Sequence, residues 1–218
     1  MASVLQTGLA AARRRGVVRS FMVIAVLPGI SSEVFDRLWT ARVVDIFPMP
    51  TLFGVQGQAA WFTVFALVGA LIALATSLIT NRIAPDRVNA LHPAKLLALV
   101  TLIQGADITG FALSGSLWPA LLAMWVRKSA HALAYPVQAA WLNRNVGSHA
   151  RATTISLTSQ ADAFGQVVGG PPLGALAGRT SIPTAMVAAA AILTPVALIY
   201  ARLGSRTIGR PRPADEVT

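Results

Sequence analysis

Apolar positions in this chain run in long blocks, without the alternation of a half-buried strand or the one-sided stripe of a surface helix. Residues 59–80 and 182–201 contain no charged side chain. Residues 96–117 contain one, Asp107, and residues 152–177 contain one, Asp162. Residues 117–141 are interrupted by Arg127, Lys128 and His131. A helix needs about 20 residues to cross the hydrocarbon core of a bilayer, and each block reaches that length. A sixth segment, roughly residues 17–37, is weaker. Its clean core, residues 21–30, contains Pro28 and Gly29. Glu33, Asp36 and Arg37 follow, as expected of a solvated helix end or of charges that close a gate. With this segment included, the pattern predicts an all-α integral membrane protein of six transmembrane helices.

The connections fit an even number of crossings. Gly115-Ser116 and residues 179–183 read as tight turns. The other links are longer and basic. Residues 81–94 carry Arg82 and Arg87, with Lys95 just after them, and residues 141–151 carry Arg144 and Arg151. Arg13, Arg14 and Arg15 precede the first span, while Arg202, Arg206, Arg210 and Arg212 follow the last. Six alternating helices place all of these on one side, against Arg37, Arg42 and Arg179 on the other. The positive-inside rule then puts both termini in the cytoplasm, in a plasma membrane. The expected organisation is a basic N-terminus over residues 1–16, a membrane domain over 17–203 and a tail over 204–218. Proline and charge in the tail favour disorder.

Composition agrees with lipid as the solvent. Of 218 residues, 12% are charged, against about a quarter in an ordinary soluble domain. The mean hydropathy is +0.62. A net charge of +10 would suggest nucleic acid in a soluble protein. Here the arginines lie between apolar blocks, so they read as topology signals and as contacts for anionic headgroups. Without cysteine there is no disulfide framework or thiolate metal site. His92, His131 and His149 lack metal-ligand spacing, and no phosphate-binding glycine loop is present. No cofactor is expected. The arginine cluster and first span lack a small-residue cleavage site, so that span reads as an anchor.

Three features could carry chemistry. Charge inside a bilayer is costly and faces a cavity or a partner. Asp107, with Gln104 a turn before it, lies at a depth similar to that of Arg127, so an ion pair between them is expected. It could be static, or it could open and close as a proton or substrate site. Asp162, near Gln160 and Gln166, either lines the same cavity or is interfacial. Gly165, Gly169, Gly170, Gly174 and Gly178 put bare backbone on the fifth span for close helix packing, and Pro171-Pro172 should kink or loosen it. Ser114 and His131 could suggest an intramembrane protease. The serine sits at a hairpin, however, with the histidine about 20 Å deeper by helical rise, so catalysis is not expected. Trp61, Trp118, Trp125 and Trp141 read as an aromatic belt.

Several stretches resemble one family in order. Residues 29–39 (GISSEVFDRLW) resemble the seventh helix of bacterial major facilitator superfamily permeases. Residues 81–87, with Arg82, Asp86 and Arg87, resemble the weaker copy of that family's cytoplasmic Asp-Arg loop. Tyr135-Pro136, residues 141–143 and residues 151–153 resemble the end of its helix ten and the start of helix eleven. Residues 165–174 resemble the glycine-proline region of helix eleven. The resemblance covers nearly the whole chain. It implies one six-helix half of the fold, built as two inverted three-helix repeats. It also implies secondary transport of a small solute by alternating access, often proton-coupled and often efflux. Asp107, Arg127 and Asp162 would then be the cavity or proton-coupling residues.

The sequence departs from the family in two respects. The first six helices and their stronger Asp-Arg loop are missing, and Val88-Asn89 stands where the loop usually has glycine. A lone half offers one wall of a cavity. Transport would therefore require a second six-helix half, either another copy or a separate chain. The alternative expectation is a non-transporting remnant, or an interaction subunit of a split permease.

Overall fold

The computed structural model describes residues 16–46, 49, 51, 57–82, 93–145 and 148–207, and these are helical almost throughout. The helices are α1 (Gly16–Ile46), α2 (Gln58–Arg82), α3 (Pro93–Leu113), α4 (Leu117–Asn145), α5 (Ser148–Arg179), α6 (Ile182–Ala191) and α7 (Leu193–Thr207). The last two are pieces of one rod, making six rods among the described residues. Pro195 has no N–H to offer the carbonyl of Ala191, and the break falls beside that missing bond. Three rods are long and apolar enough to cross a membrane: Gln58–Thr80, Pro93–Leu113 and Ile182–Gly204. Among the described residues α1, α4 and α5 are longer still, at 31, 29 and 32 residues, and more polar.

Polar side chains in these helices are largely satisfied locally. Thr76, Thr80, Thr101, Thr109 and Thr158 each donate to the carbonyl four residues back at 2.7–2.9 Å. This bond lets a hydroxyl lie in apolar surroundings without stranding a donor. The α5–α6 turn is built by Ser181, whose side chain accepts from the Thr184 backbone N–H, with Pro183 in the first helical turn.

Two apolar clusters mark opposite ends of the bundle. One joins Ile24, Leu97, Trp141 and Tyr200. The other joins Phe35, Val43, Phe65, Phe111, Leu121 and Met186. The start of α1 therefore lies with the start of α3 and the ends of α4 and α7, whereas the end of α1 lies with the starts of α2, α4 and α6. Gly165 meets Val26 and Gly169 meets Ile30, so α5 runs parallel to α1. The six rods alternate in direction, and both ends of the described helical chain lie at one end of the bundle. α1 packs on α5, α2 on α4, and α3 on α4, α6 and α7, with α6 also touching α1 and α5.

The structure differs from the sequence pattern in four places. α1 does not end near Arg37 but continues to Ile46, which places Glu33, Asp36 and Arg37 in its interior. No glycine or proline follows until Pro48, and Glu33 and Arg37 form an ion pair one turn apart that supports the helix. The polar link at residues 141–151 is mostly helical, as α4 runs to Asn145 and α5 starts at Ser148. α7 runs to Thr207, three residues past the expected start of the tail. α5 stays helical through the exposed Pro171 and Pro172.

Candidate functional site

α1, α3, α4 and α5 bring charged residues into the middle of the bundle. Arg127 on α4 is central. Its side chain is 13% exposed and its Nη1 lies 3.6 Å from Asp36 Oδ1 on α1. Its guanidinium also lies over the Phe35 ring, 4.2 Å from the centroid. Phe35 stands edge-on to Phe111 of α3, with ring centroids 5.2 Å apart. The arginine is thus clamped between an aromatic face and a carboxylate. Stacking on a ring suits a planar, weakly hydrated guanidinium better than it would an ammonium.

The sequence pairs Arg127 with Asp107, whereas the structure pairs it with Asp36. Once α1 is helical through Asp36, that carboxylate reaches the face of α4 that Arg127 occupies. Asp107 stays within electrostatic range of Arg127, but its Oδ2 is buried without a hydrogen-bond partner. Asp162 lies mid-helix in α5, where its Oδ2 accepts from Gln166 Nε2 at 2.9 Å. His131, one turn after Arg127, is exposed and within electrostatic range of Arg127, Lys128, Asp36 and Asp162. Asp36 and Asp107 therefore both lie near Arg127, whereas Asp162 sits beside Gly29, about 10 Å below Asp36 by helical rise. Glu33 and Arg37 pair with each other, with Arg37 exposed and Glu33 toward α5 beside Gly170. Arg82 ends α2 and is exposed. Asp86 and Arg87 lie outside the described residues.

The glycines of α5 divide into two groups. A Cβ on Gly165 would collide with the carbonyl oxygen of Val26, and one on Gly169 with Ile30. In return, a Cβ on Gly29 would collide with the carbonyl oxygen of Asp162. These three glycines let α1 and α5 touch backbone to backbone. Gly170 makes ordinary contact, and Gly174 and Gly178 face open space. The seam therefore ends near Gly169 and does not continue along the whole glycine row.

Two residues carry no distinctive sequence signal. Arg42 on α1 donates from Nη2 to the carbonyls of Ala112 (2.9 Å) and Ser114 (3.3 Å), capping the C-terminal end of α3. Ser31 on α1 is 1% exposed, and its Oγ has no partner. An arginine near a span end and a serine in a helix are ordinary in sequence, and only the fold shows what surrounds them. Trp125 departs from the aromatic-belt expectation: it packs in the bundle beside Gly69 of α2.

No family model and no curated protein matches this chain. It stands as an all-helical, six-rod protein with three candidate membrane spans.

Proposed function

We propose that the chain is a six-helix membrane domain working as half of a major facilitator-type permease, moving a small solute by alternating access. One observation carries this reading: Asp36, Arg127 and Asp107 are brought together across α1, α3 and α4, in a bundle whose α2 and α6–α7 rods carry no charge over residues 59–80 and 182–201. Static packing gains little from buried charge, because desolvation offsets the attraction. Intramembrane ionisable groups are retained where a substrate or ion passes.

The packing pattern is consistent with an inverted repeat. Matching α1, α2 and α3 with α4, α5 and the α6–α7 rod, the α1–α5 contact corresponds to α4–α2. The contact of α3 with α4 corresponds to that of α6–α7 with α1. Opposite direction within each matched pair is what inversion requires. Six crossings, with both ends cytoplasmic in a plasma membrane, belong to this reading, and the alternating rods and the basic links of the sequence support them. Leu67, Leu71, Leu74 and Leu78 on α2 and Phe164 and Val167 on α5 are exposed. They provide apolar surface for lipid or for a second six-helix half.

The test is flux into proteoliposomes containing the purified chain, alone and with a candidate second half. Solute uptake or efflux that falls at least tenfold in Arg127→Gln and Asp107→Asn, with normal insertion, supports transport. No flux of any solute in a well-folded sample, with or without partner, favours a non-transporting interaction subunit with the same exposed faces.

A further inference from the structure

Lys128 of α4 stands at the middle of the candidate span on α2. Its Cγ lies 3.9 Å from where a Cβ on Gly69 would be, and Gly69 is the middle residue of the 23-residue span Gln58–Thr80. The hydrocarbon core extends about 15 Å to either side of that level. Four methylene groups are too short to carry the ammonium out to a headgroup from there. The lipid-like face of α2 also looks the other way. Leu67, Leu71, Leu74 and Leu78 are exposed and lie about 140–200° round the helix from Gly69, at 3.6 residues per turn. α2 thus turns its leucine stripe to one side and Gly69, with Lys128 against it, to the opposite side.

Two donors without acceptors meet at Gly69. Trp125, one turn before Lys128 on α4, puts Cδ1 at 3.6 Å and Nε1 at 3.9 Å from the same Cβ position. That indole nitrogen is buried and has no hydrogen-bond partner, which is costly in an apolar interior. Lys128 is exposed, and among the described residues no carboxylate pairs with it. Glu33 pairs with Arg37 and Asp36 with Arg127, while Asp162 accepts from Gln166. His131, one turn further along α4, is within electrostatic range of Lys128 and adds no negative charge. An ammonium and an indole N–H, side by side at a glycine that leaves room for a neighbour, complement an anion.

We propose that Lys128 and Trp125 bind one organic carboxylate beside Gly69, at the seam of α2 and α4. The Lys128 ammonium neutralises the charge, and Trp125 Nε1 donates to a carboxylate oxygen. A single free cation matches a monoanion better than a phosphate ester, because Arg127, the next cation along α4, is held by Asp36. Trp125 packs in an apolar cluster that includes Trp61, Phe62 and Phe65 of α2, so the surroundings suit an apolar or aromatic body behind the carboxylate. A lipid headgroup is at the wrong depth to supply the anion. The site deepens the transport reading, on which it rests, by naming a class of solute. Binding is measured without flux, so the two fail separately.

The test uses the full purified chain in nanodiscs of zwitterionic lipid, with its five tryptophans isotope-labelled. The indole N–H resonances are followed as benzoate or octanoate is added, with benzamide and octanamide as uncharged counterparts. The expected result is a saturable shift of the resonance that Trp125→Phe removes, caused by a carboxylate and not by its amide. Equilibrium dialysis of the same carboxylate, with empty nanodiscs subtracted, then compares variants. Trp125→Phe keeps a ring and loses the N–H, and weakens binding about tenfold, the scale of one hydrogen bond to a charged group. Lys128→Gln weakens it by more than Trp125→Phe does, and Lys128→Arg, which keeps the charge, retains it. Should Lys128→Gln fail to fold, Trp125→Phe and the amides decide. The site is overturned if neither carboxylate shifts the Trp125 resonance, if the amides bind as tightly, or if Trp125→Phe and Lys128→Gln bind like the wild type. Carboxylate binding without flux counts against transport and leaves the site standing. Flux of another solute without carboxylate binding does the reverse.

Discussion

Arg127 illustrates how much of a side chain's role depends on its neighbours. The sequence marks it as a charge within an apolar block, and that much is legible because such charges are rare. Its partner is not legible: the sequence points to Asp107, and only the structure, with α1 helical through Asp36, shows the pair with Asp36. The structure gives the pair an asymmetry that can be measured. Asp36 is 60% exposed, so water screens it, whereas Arg127 is nearly enclosed. Asp36→Asn strands an enclosed cation and should destabilise the protein by about 1 kcal/mol, a solvent-screened value. Arg127→Lys, which keeps the charge but loses the planar stack on Phe35, should also lower stability, by about 0.5–1 kcal/mol. Thermal unfolding in detergent compares the two, and an unchanged midpoint in both would mean the clamp contributes nothing. The glycines permit a sharper contrast. Gly165→Ala drives a methyl group into the Val26 carbonyl and should cost about 1–3 kcal/mol, as overpacking does. Gly174→Ala meets open space and should be neutral or stabilising by up to about 1 kcal/mol, because alanine is the better helix former.

At the scale of elements, the apolar blocks were the legible part, for a simple reason. A segment with no charge for 20 residues has few structures open to it in lipid, and a helix is the one that satisfies its own backbone. The blocks at residues 59–80 and 182–201 therefore become α2 and the α6–α7 rod with little change. α1 was less legible, because hydropathy measures transfer to lipid and much of α1 is covered by other helices. Its middle is covered by α5 on one side and reaches Phe111 and Arg127 on the other. A helix covered by protein on these faces can carry Glu33, which is 17% exposed, where a lone span could not. The glycine row reads correctly as a packing face but not in extent, since proximity to α1 ends along it and sequence spacing does not. α2 is the opposite case, with Leu67, Leu71, Leu74 and Leu78 all exposed. Leu71→Arg places a charge on that bare face and should reduce membrane insertion by about 2.5–3.5 kcal/mol. A glycosylation-tag insertion assay reads this directly. Equal insertion of wild type and Leu71→Arg would place that face of α2 in protein or water.

For the whole molecule, the absence of cysteine from the sequence makes the arrangement of the rods directly testable. Single cysteines at Ser116 and Thr180, in the two tight turns, should react with a membrane-impermeant maleimide from one side of the bilayer. Cysteines at Lys95 and Ala201, at the other end of the bundle, should react only from the opposite side. A cysteine at Leu71 should resist the reagent from both. Labelling of Ser116 and Lys95 positions from one side would break the alternation of rods and with it the six-crossing reading.

The contact between Gly29 and Asp162 also sets an order in time. The ribosome makes α1 before α5, whose contact residue Asp162 emerges well over a hundred residues later. At 5–20 residues per second that delay is roughly 10 s. Throughout it, α1 lacks the helix that later packs along it and covers Glu33 beside Gly170. The earliest of the described helices to be synthesised is thus among the last to be settled. During that interval it must wait in the insertion machinery, at the membrane surface, or loosely across the bilayer. A nascent chain stopped after α3 should therefore leave α1 extractable by alkaline carbonate. A chain allowed to finish α5 should not.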